Sequence, residues 1–202
     1  MGATIVNADT DSNGTGDGRC LSMTNLTAAS SISGFTFVKG VAPAATSLGG
    51  GIYMSACGAT VAGCEVTDCA ADIGGALYLT GSPATVTGSV IHHNTCTAFD
   101  LYSVIHCLNS GATFEGNTIA ENDPGNLFNQ NTVATPPLIV HNNILWNGFF
   151  SDLGGTNITS TYNTVAIGIT AGTGNIDTDP LFADAVNDFH LQSAGGRWNG
   201  VI

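Results

Sequence analysis

Apolar and polar residues along this chain follow an eleven-residue pattern that occurs six times. In Ala84-Thr85-Val86-Thr87-Gly88-Ser89-Val90-Ile91-His92-His93-Asn94 the third and eighth positions are apolar and the fifth is glycine. Copies begin at Ser30, Ala59, Ala112, Leu138 and, degraded, Ile158, so successive starts lie 29, 25, 28, 26 and 20 residues apart. The third position reads Ile32, Val61, Val86, Phe114 and Val140 before failing at Ser160; the eighth reads Phe37, Val66, Ile91, Ile119, Leu145 and Val165. Thr85-Val86-Thr87-Gly88 has the alternation of a short strand closed by a turn, whereas a helix needs apolar residues three and four apart. A second strand follows the turn and buries the eighth residue. A third register of the same period runs through Ile52, Leu77, Leu101, Leu127 and Leu153. Repeats of this length mark stacked architectures. Three short strands and three turns per repeat form one coil of a parallel β-helix, each strand pairing with its equivalent one coil on, about 4.8 Å away.

Two further columns support stacking. Asn117, Asn143 and Asn163 share the sixth position and predict an amide ladder along the axis. Tyr53, Tyr78, Tyr102 and Phe128 predict a structural aromatic stack. Gly74-Gly75-Ala76-Leu77 and Phe114-Glu115-Gly116-Asn117 are similar to the short GGA[ILV] and FxxN repeats of polymorphic outer-membrane adhesins and related surface proteins. The tail from Gly174 to Asp184, followed by Asp188-Phe189-His190-Leu191-Gln192, is similar to the segment that closes many secreted bacterial β-helix proteins. Between about Arg19 and Leu191 the chain therefore resembles a right-handed parallel β-helix protein of the pectate-lyase-like superfamily. The implied fold is all-β: a right-handed single-stranded parallel β-helix of about six coils over residues 19–168, after a lead-in at 1–18 and before an irregular capping segment at 169–202. Repeats of this kind specify fold far better than activity.

Composition narrows the function. With 43% hydrophobic residues among 202 the chain can bury a substantial core, and with only 9% charged residues its surface rests on Thr, Ser, Asn and Gly. Arg19, Lys39 and Arg197 are its only basic residues and the net charge is −12, which excludes nucleic acid and anionic membrane surfaces as partners but suits calcium. No run of eighteen apolar residues predicts a membrane span, and Met1-Gly2-Ala3-Thr4 does not begin a signal peptide. The scarcity of Lys and Glu points to a secreted or cell-surface protein whose signal lies outside this chain. Six cysteines permit fifteen pairings; several are expected as small buried column fillers, and Cys69 with Cys96 is the pair best placed to bridge.

Candidate chemistry lies in three places. Asp9-Thr10-Asp11-Ser12-Asn13-Gly14 has the DxDxNG spacing that converges alternate oxygens on calcium, with Asp17 following, although Cys20 stands where a bidentate Glu belongs. The same stretch also reads as a polar turn. Asp68, His93 and Glu121 share the tenth position of consecutive repeats, so the two carboxylates fall about 9.6 Å apart, the wide end of inverting-glycosidase spacing. A solvated polar edge is the plainer reading. His92 and Trp146 share the ninth column, an aromatic strip for sugar rings. No basic residue lies in the middle coils, which disfavours uronate lyase chemistry. The expected function is binding, adhesion or structure at a surface, toward polysaccharide or a surface glycan and without catalysis by this chain. A polysaccharide hydrolase is the alternative, and a Thr-rich ice-binding face is a third reading. Ending at Trp198-Asn199-Gly200-Val201-Ile202 without a polar stop points either to a natural fragment or to end-to-end pairing of chains.

Overall fold

Strand alternation is realised as three parallel sheets that run the length of a solenoid. The computed structural model describes residues 4–98, 104–125, 127–130, 135–146, 152–167, 172–184 and 186–191, with backbone alone at 128–130. The first sheet stacks Thr4–Asn7, Phe35–Val38, Glu65–Thr67, Val90–His92, Thr118–Ala120, Ile144–Trp146 and Thr164–Val165. The second stacks Ser31–Ser33, Thr60–Ala62, Thr85–Thr87, Thr113–Glu115, Leu138–His141 and Ile158–Thr161. The third stacks Leu21–Thr24, Ile52–Ser55, Leu77–Thr80, Ile105–Leu108, Leu127–Gln130 and Leu153–Thr156. Every neighbouring pair in these sheets is parallel, and no helix occurs among the described residues. The six rungs of the second and third sheets are separated by five coil steps, so the solenoid makes about five turns, slightly fewer than the repeat count implies. The stretch expected as a lead-in contributes Thr4–Asn7 as the first rung of the first sheet.

The two inward columns are the third and eighth positions. Val61, Val86, Phe114 and Val140 lie in direct register in the second sheet, and Phe37, Val66, Ile91, Ile119, Leu145 and Val165 in the first, all of them buried. The third sheet corrects one expectation: Leu77 pairs with Ile105, and Ile105 with Leu127, so Ile105 rather than Leu101 continues that column. The alternation Ile105-His106-Cys107 turns Ile105 and Cys107 into the core with Leu77 and Leu79, which residues inserted ahead of it had hidden. The aromatic stack shifts accordingly, to Tyr53, Tyr78 and His106 with ring centroids 5.8 and 5.5 Å apart, and the Arg19 guanidinium lies 4.6 Å above the Tyr53 ring. Leu101 and Tyr102 lie outside the described residues.

Each corner of the coil solves the same hydrogen-bonding problem. A residue at positive φ reverses the chain, and the next residue points inward with a backbone N–H that needs an acceptor. Between the second and first sheets the reversing residues are Gly34, Gly63, Gly88 and Gly116, then Asn142 and Tyr162. The following N–H groups bond to side chains one coil on: Ser89 N to Asn117 Oδ1 at 3.0 Å, Asn117 N to Asn143 Oδ1 at 2.9 Å, Asn143 N to Asn163 Oδ1 at 2.9 Å and Asn163 N to Asn175 Oδ1 at 2.9 Å. This is the expected amide ladder, extended by Asn175. After the first sheet Cys69 N bonds Asn94 Oδ1, and Asn94 N bonds Asn122 Oδ1, both at 3.0 Å. After the third sheet Cys57 N bonds Ser82 Oγ and Ser82 N bonds Ser110 Oγ.

All six cysteines are free thiols, five of them buried, so the expected Cys69–Cys96 bridge is absent. The two belong to different columns: Cys69 stacks on Asn94, whereas Cys96 pairs with Ala71. The Cys69 thiol donates to the Thr67 carbonyl at 3.2 Å, and its interaction with the Cys20 thiol draws the Cys20 pKa down and pushes that of Cys69 up.

Candidate functional site

On the first sheet the residues flanking the eighth position face outward. One outer column reads Thr36, Glu65, Val90, Thr118 and Ile144; the next reads Val38, Thr67, His92, Ala120 and Trp146. One coil apart, their polar members connect. Glu65 accepts a hydrogen bond from Thr36 Oγ1 at 2.9 Å through Oε2 and meets His92 Nε2 at 3.0 Å through Oε1. His92 Nδ1 lies 2.6 Å from His93 Nδ1 and 3.4 Å from Thr67 Oγ1. Between two ring nitrogens at that separation one must donate and the other accept. In the tautomer that gives Glu65 the His92 Nε2–H, His92 Nδ1 accepts from His93 Nδ1–H and the lone pair of His93 is carried on Nε2. The chain Glu65–His92–His93 can therefore orient an imidazole as acceptor for a hydroxyl or pass a proton along it.

A hairpin from the tail lies over this network. Phe182–Asp184 and Asp188–Leu191 pair antiparallel, and the Phe189 ring sits 5.1 Å from the His92 ring and 6.4 Å from that of His93. Phe182 meets Phe189 edge-on at 5.3 Å and holds it there. Asp188 Oδ1 lies 2.5 Å from His190 Nδ1, and that contact holds the Asp188 carboxyl below the usual carboxylate range. Between hairpin and sheet runs a cleft of about 450 Å³, lined by Phe35, Glu65, His92, Phe189 and His190 among others, with Gly34, Gly63 and Gly88 along its floor. A Cβ at Gly34 or Gly63 would meet nothing within 4 Å; their positive φ of 71° and 56° is what keeps this floor bare of side chains. The cleft has the size of a small-ligand site and joins two aromatic rings to several hydrogen-bonding groups.

The description "Right handed beta helix region" belongs to the family model that matches residues 5–176. The chain belongs to the right-handed β-helix family. No curated protein and no solved structure is similar enough to match it.

In this β-helix Asp68, His93 and Glu121 do occupy one column on consecutive coils. It is the reversing column after the first sheet, with φ of 54°, 53° and 51°. His93 N donates to the Glu121 carbonyl at 2.9 Å. The carboxylate that reaches the histidine pair is Glu65, which sequence reasoning missed although its seventh position lies one coil from Val90 and diagonal to His92. His92 and Trp146 share their column, but Ala120 stands between them and is buried, so the aromatic strip is interrupted. Phe189 supplies the ring next to His92, from a part of the chain with no repeat to reveal it. Asn147, which follows Trp146, lies outside the described residues.

The acidic loop also folds together. Asp9, Asp11 and Asp17 offer carboxylate oxygens within 4.8 Å of one another. Asn13 works inside the loop: its N and Nδ2 donate to the two oxygens of Asp11, and its Oδ1 accepts from Thr15 N. Lys39 Nζ meets Asp9 Oδ2 at 2.9 Å and holds the Asp9 carboxyl below its ordinary range. On the second sheet the outward pairs expected for an ice-binding face are in register, but Ile139 and a Glu115–His141 contact at 3.4 Å interrupt the Thr rows. No helix is long and apolar enough to cross a membrane among the described residues.

Proposed function

We propose that the chain is a secreted or cell-surface β-helix that binds carbohydrate in the cleft between the first sheet and the C-terminal hairpin, in an adhesive or structural role without catalysis of its own. The observation that carries this reading is the cleft itself. It sets the Phe189 ring beside an orienting chain of Glu65, His92 and His93. Sugar rings stack their C–H faces on aromatic rings and present hydroxyls to imidazole and carboxylate. Among the described residues its charged lining is Glu65 and Asp188 with the imidazoles of His92 and His190, and no Lys or Arg, which favours neutral or amine-bearing glycans over uronates. A glycan array of the full chain tests it: neutral or amino-sugar glycans should be retained, with retention lost in His92→Ala. An array blank for every glycan class, or one whose hits survive that change, removes the proposal.

Hydrolysis by Asp68, His93 and Glu121 is the second reading, favoured by their stacking on consecutive coils and by the proton-passing contact of His93 with His92. Glu121→Gln distinguishes the two, since it abolishes release of reducing ends by a hydrolase and leaves glycan retention unchanged in a binding module. Ice binding by the second sheet predicts thermal hysteresis that Thr85→Leu removes. End-to-end association through the edge strands Ser31–Ser33 and Leu21–Thr24 predicts a mass above the monomer in light scattering.

A further inference from the structure

We propose that the loop 9–17 is a calcium site, with Asp9, Asp11 and Asp17 as its carboxylate ligands and Asn13 as the residue that orients Asp11. The three carboxylates converge within 4.8 Å with a single ammonium, that of Lys39, beside them among the described residues, and like charges so placed favour a further cation. Asp9 is the second and independent indication. Its side chain is only 3% exposed. Its Oδ2 is saturated by Lys39 Nζ at 2.9 Å and Gly14 N at 3.0 Å, whereas its Oδ1 is buried and meets no donor among the described residues. A buried carboxylate oxygen without a donor is costly, and a metal ion satisfies it.

Charge and ligand type select the ion. Three carboxylates and one ammonium leave the loop at −2, which one divalent cation neutralises with Lys39 remaining on Oδ2. Among the described residues no second cationic side chain competes: Arg19 is turned to the Leu48 and Gly49 carbonyls and the Tyr53 ring. The donors are all hard oxygens, which suit calcium or magnesium over the transition metals. The loop is irregular, closes at Gly14 with φ +92°, and offers no rigid octahedron, so calcium, which accepts flexible oxygen cages, fits it better than magnesium.

The ion would fasten the start of the solenoid. Asp17 N donates to the Ala8 carbonyl at 2.8 Å, Ala8 N to the Val38 carbonyl at 3.1 Å, and Lys39 follows that strand directly. Ligation of Asp9 and Asp17 therefore ties the loop to the first two rungs of the first sheet.

Calorimetric titration of the chelator-treated full chain, with its thermal midpoint read in parallel, tests the site at up to about 10 mM ion, since extracellular modules bind calcium at about 10⁻⁴–10⁻³ M. One calcium per chain should bind, the midpoint should rise, and magnesium should bind at least about tenfold more weakly. Asp11→Asn and Asp17→Asn, both at exposed positions that leave the fold intact, should each weaken calcium by about tenfold or more, whereas the remote Asp179→Asn should not. A midpoint indifferent to calcium, an equal response to magnesium, or an unchanged response in Asp11→Asn and Asp17→Asn overturns the assignment.

Discussion

The outer faces of the first and second sheets are built by the same backbone and differ in what lies over them. Both alternate one inward apolar residue with two outward neighbours, and both end at a reversing residue of positive φ. The second sheet presents Ser31 and Ser33, Thr60, Thr85 and Thr87, Thr113, and Thr159 and Thr161 with no described element across them, and Ile139 remains 39% exposed. The first sheet carries Glu65 and His92 beneath Phe189, and Asp188, Phe189 and His190 of the hairpin close a cleft over Thr36, Glu65, Val90 and Thr118. Inward columns decide that the chain coils; the bulk and polarity of outward residues, together with a covering hairpin, decide which face becomes a site. An open Thr face is the default surface of such a strand, since Thr suits strands for conformational reasons alone.

The comparison breaks first if the inward columns prove unequal. Phe114→Ala in the second sheet and Ile91→Ala in the first, both fully buried, should each cost about 2–5 kcal/mol in urea unfolding whatever covers the outer face. Asn143→Leu comes next. It strands the Asn117 N–H and one Nδ2–H and withdraws the donor from the Phe114 and His141 carbonyls, so a loss of at least about 2 kcal/mol is expected, about 1 kcal/mol or more for each of the two stranded donors.

Outward changes should separate the two faces. Phe189→Ala should lower glycan retention about tenfold while Thr85→Ala leaves both retention and stability within about 0.5 kcal/mol, measured by array binding and thermal midpoint. The smallest effect is that of acid. The Asp184 carboxyl is held low by the Val186 N–H and that of Asp188 by His190. A depressed carboxyl stabilises fully above its unfolded value of about 3.9 and loses that contribution as pH falls through the folded value. The hairpin should therefore loosen below about pH 4, seen as a shift of the Phe182 and Phe189 ring resonances. The open face of the second sheet should stay unchanged.

Much of the scaffold was legible because a stacked fold writes each contact into the sequence repeatedly. Val61, Val86 and Phe114, or Asn117, Asn143 and Asn163, could be aligned by their spacing before any coordinate was known, since the coil forces equivalent residues into register about 4.8 Å apart. Asp68, His93 and Glu121 were found as a column for the same reason. The register of the third sheet failed at Leu101 because an insertion before Ile105 changes length without changing the inward pattern.

What the amino-acid order determined by itself is the coil: short alternating strands, reversing corners and inward apolar layers, all products of local pattern and repetition. What only the tertiary structure decided is where the unrepeated parts come to rest. Phe189 reaches His92 across 97 residues and Lys39 reaches Asp9 across 30, while Cys69 turns to Cys20 rather than Cys96. Contacts of that kind occur once each, so they leave no periodic trace, and packing in three dimensions alone selects them.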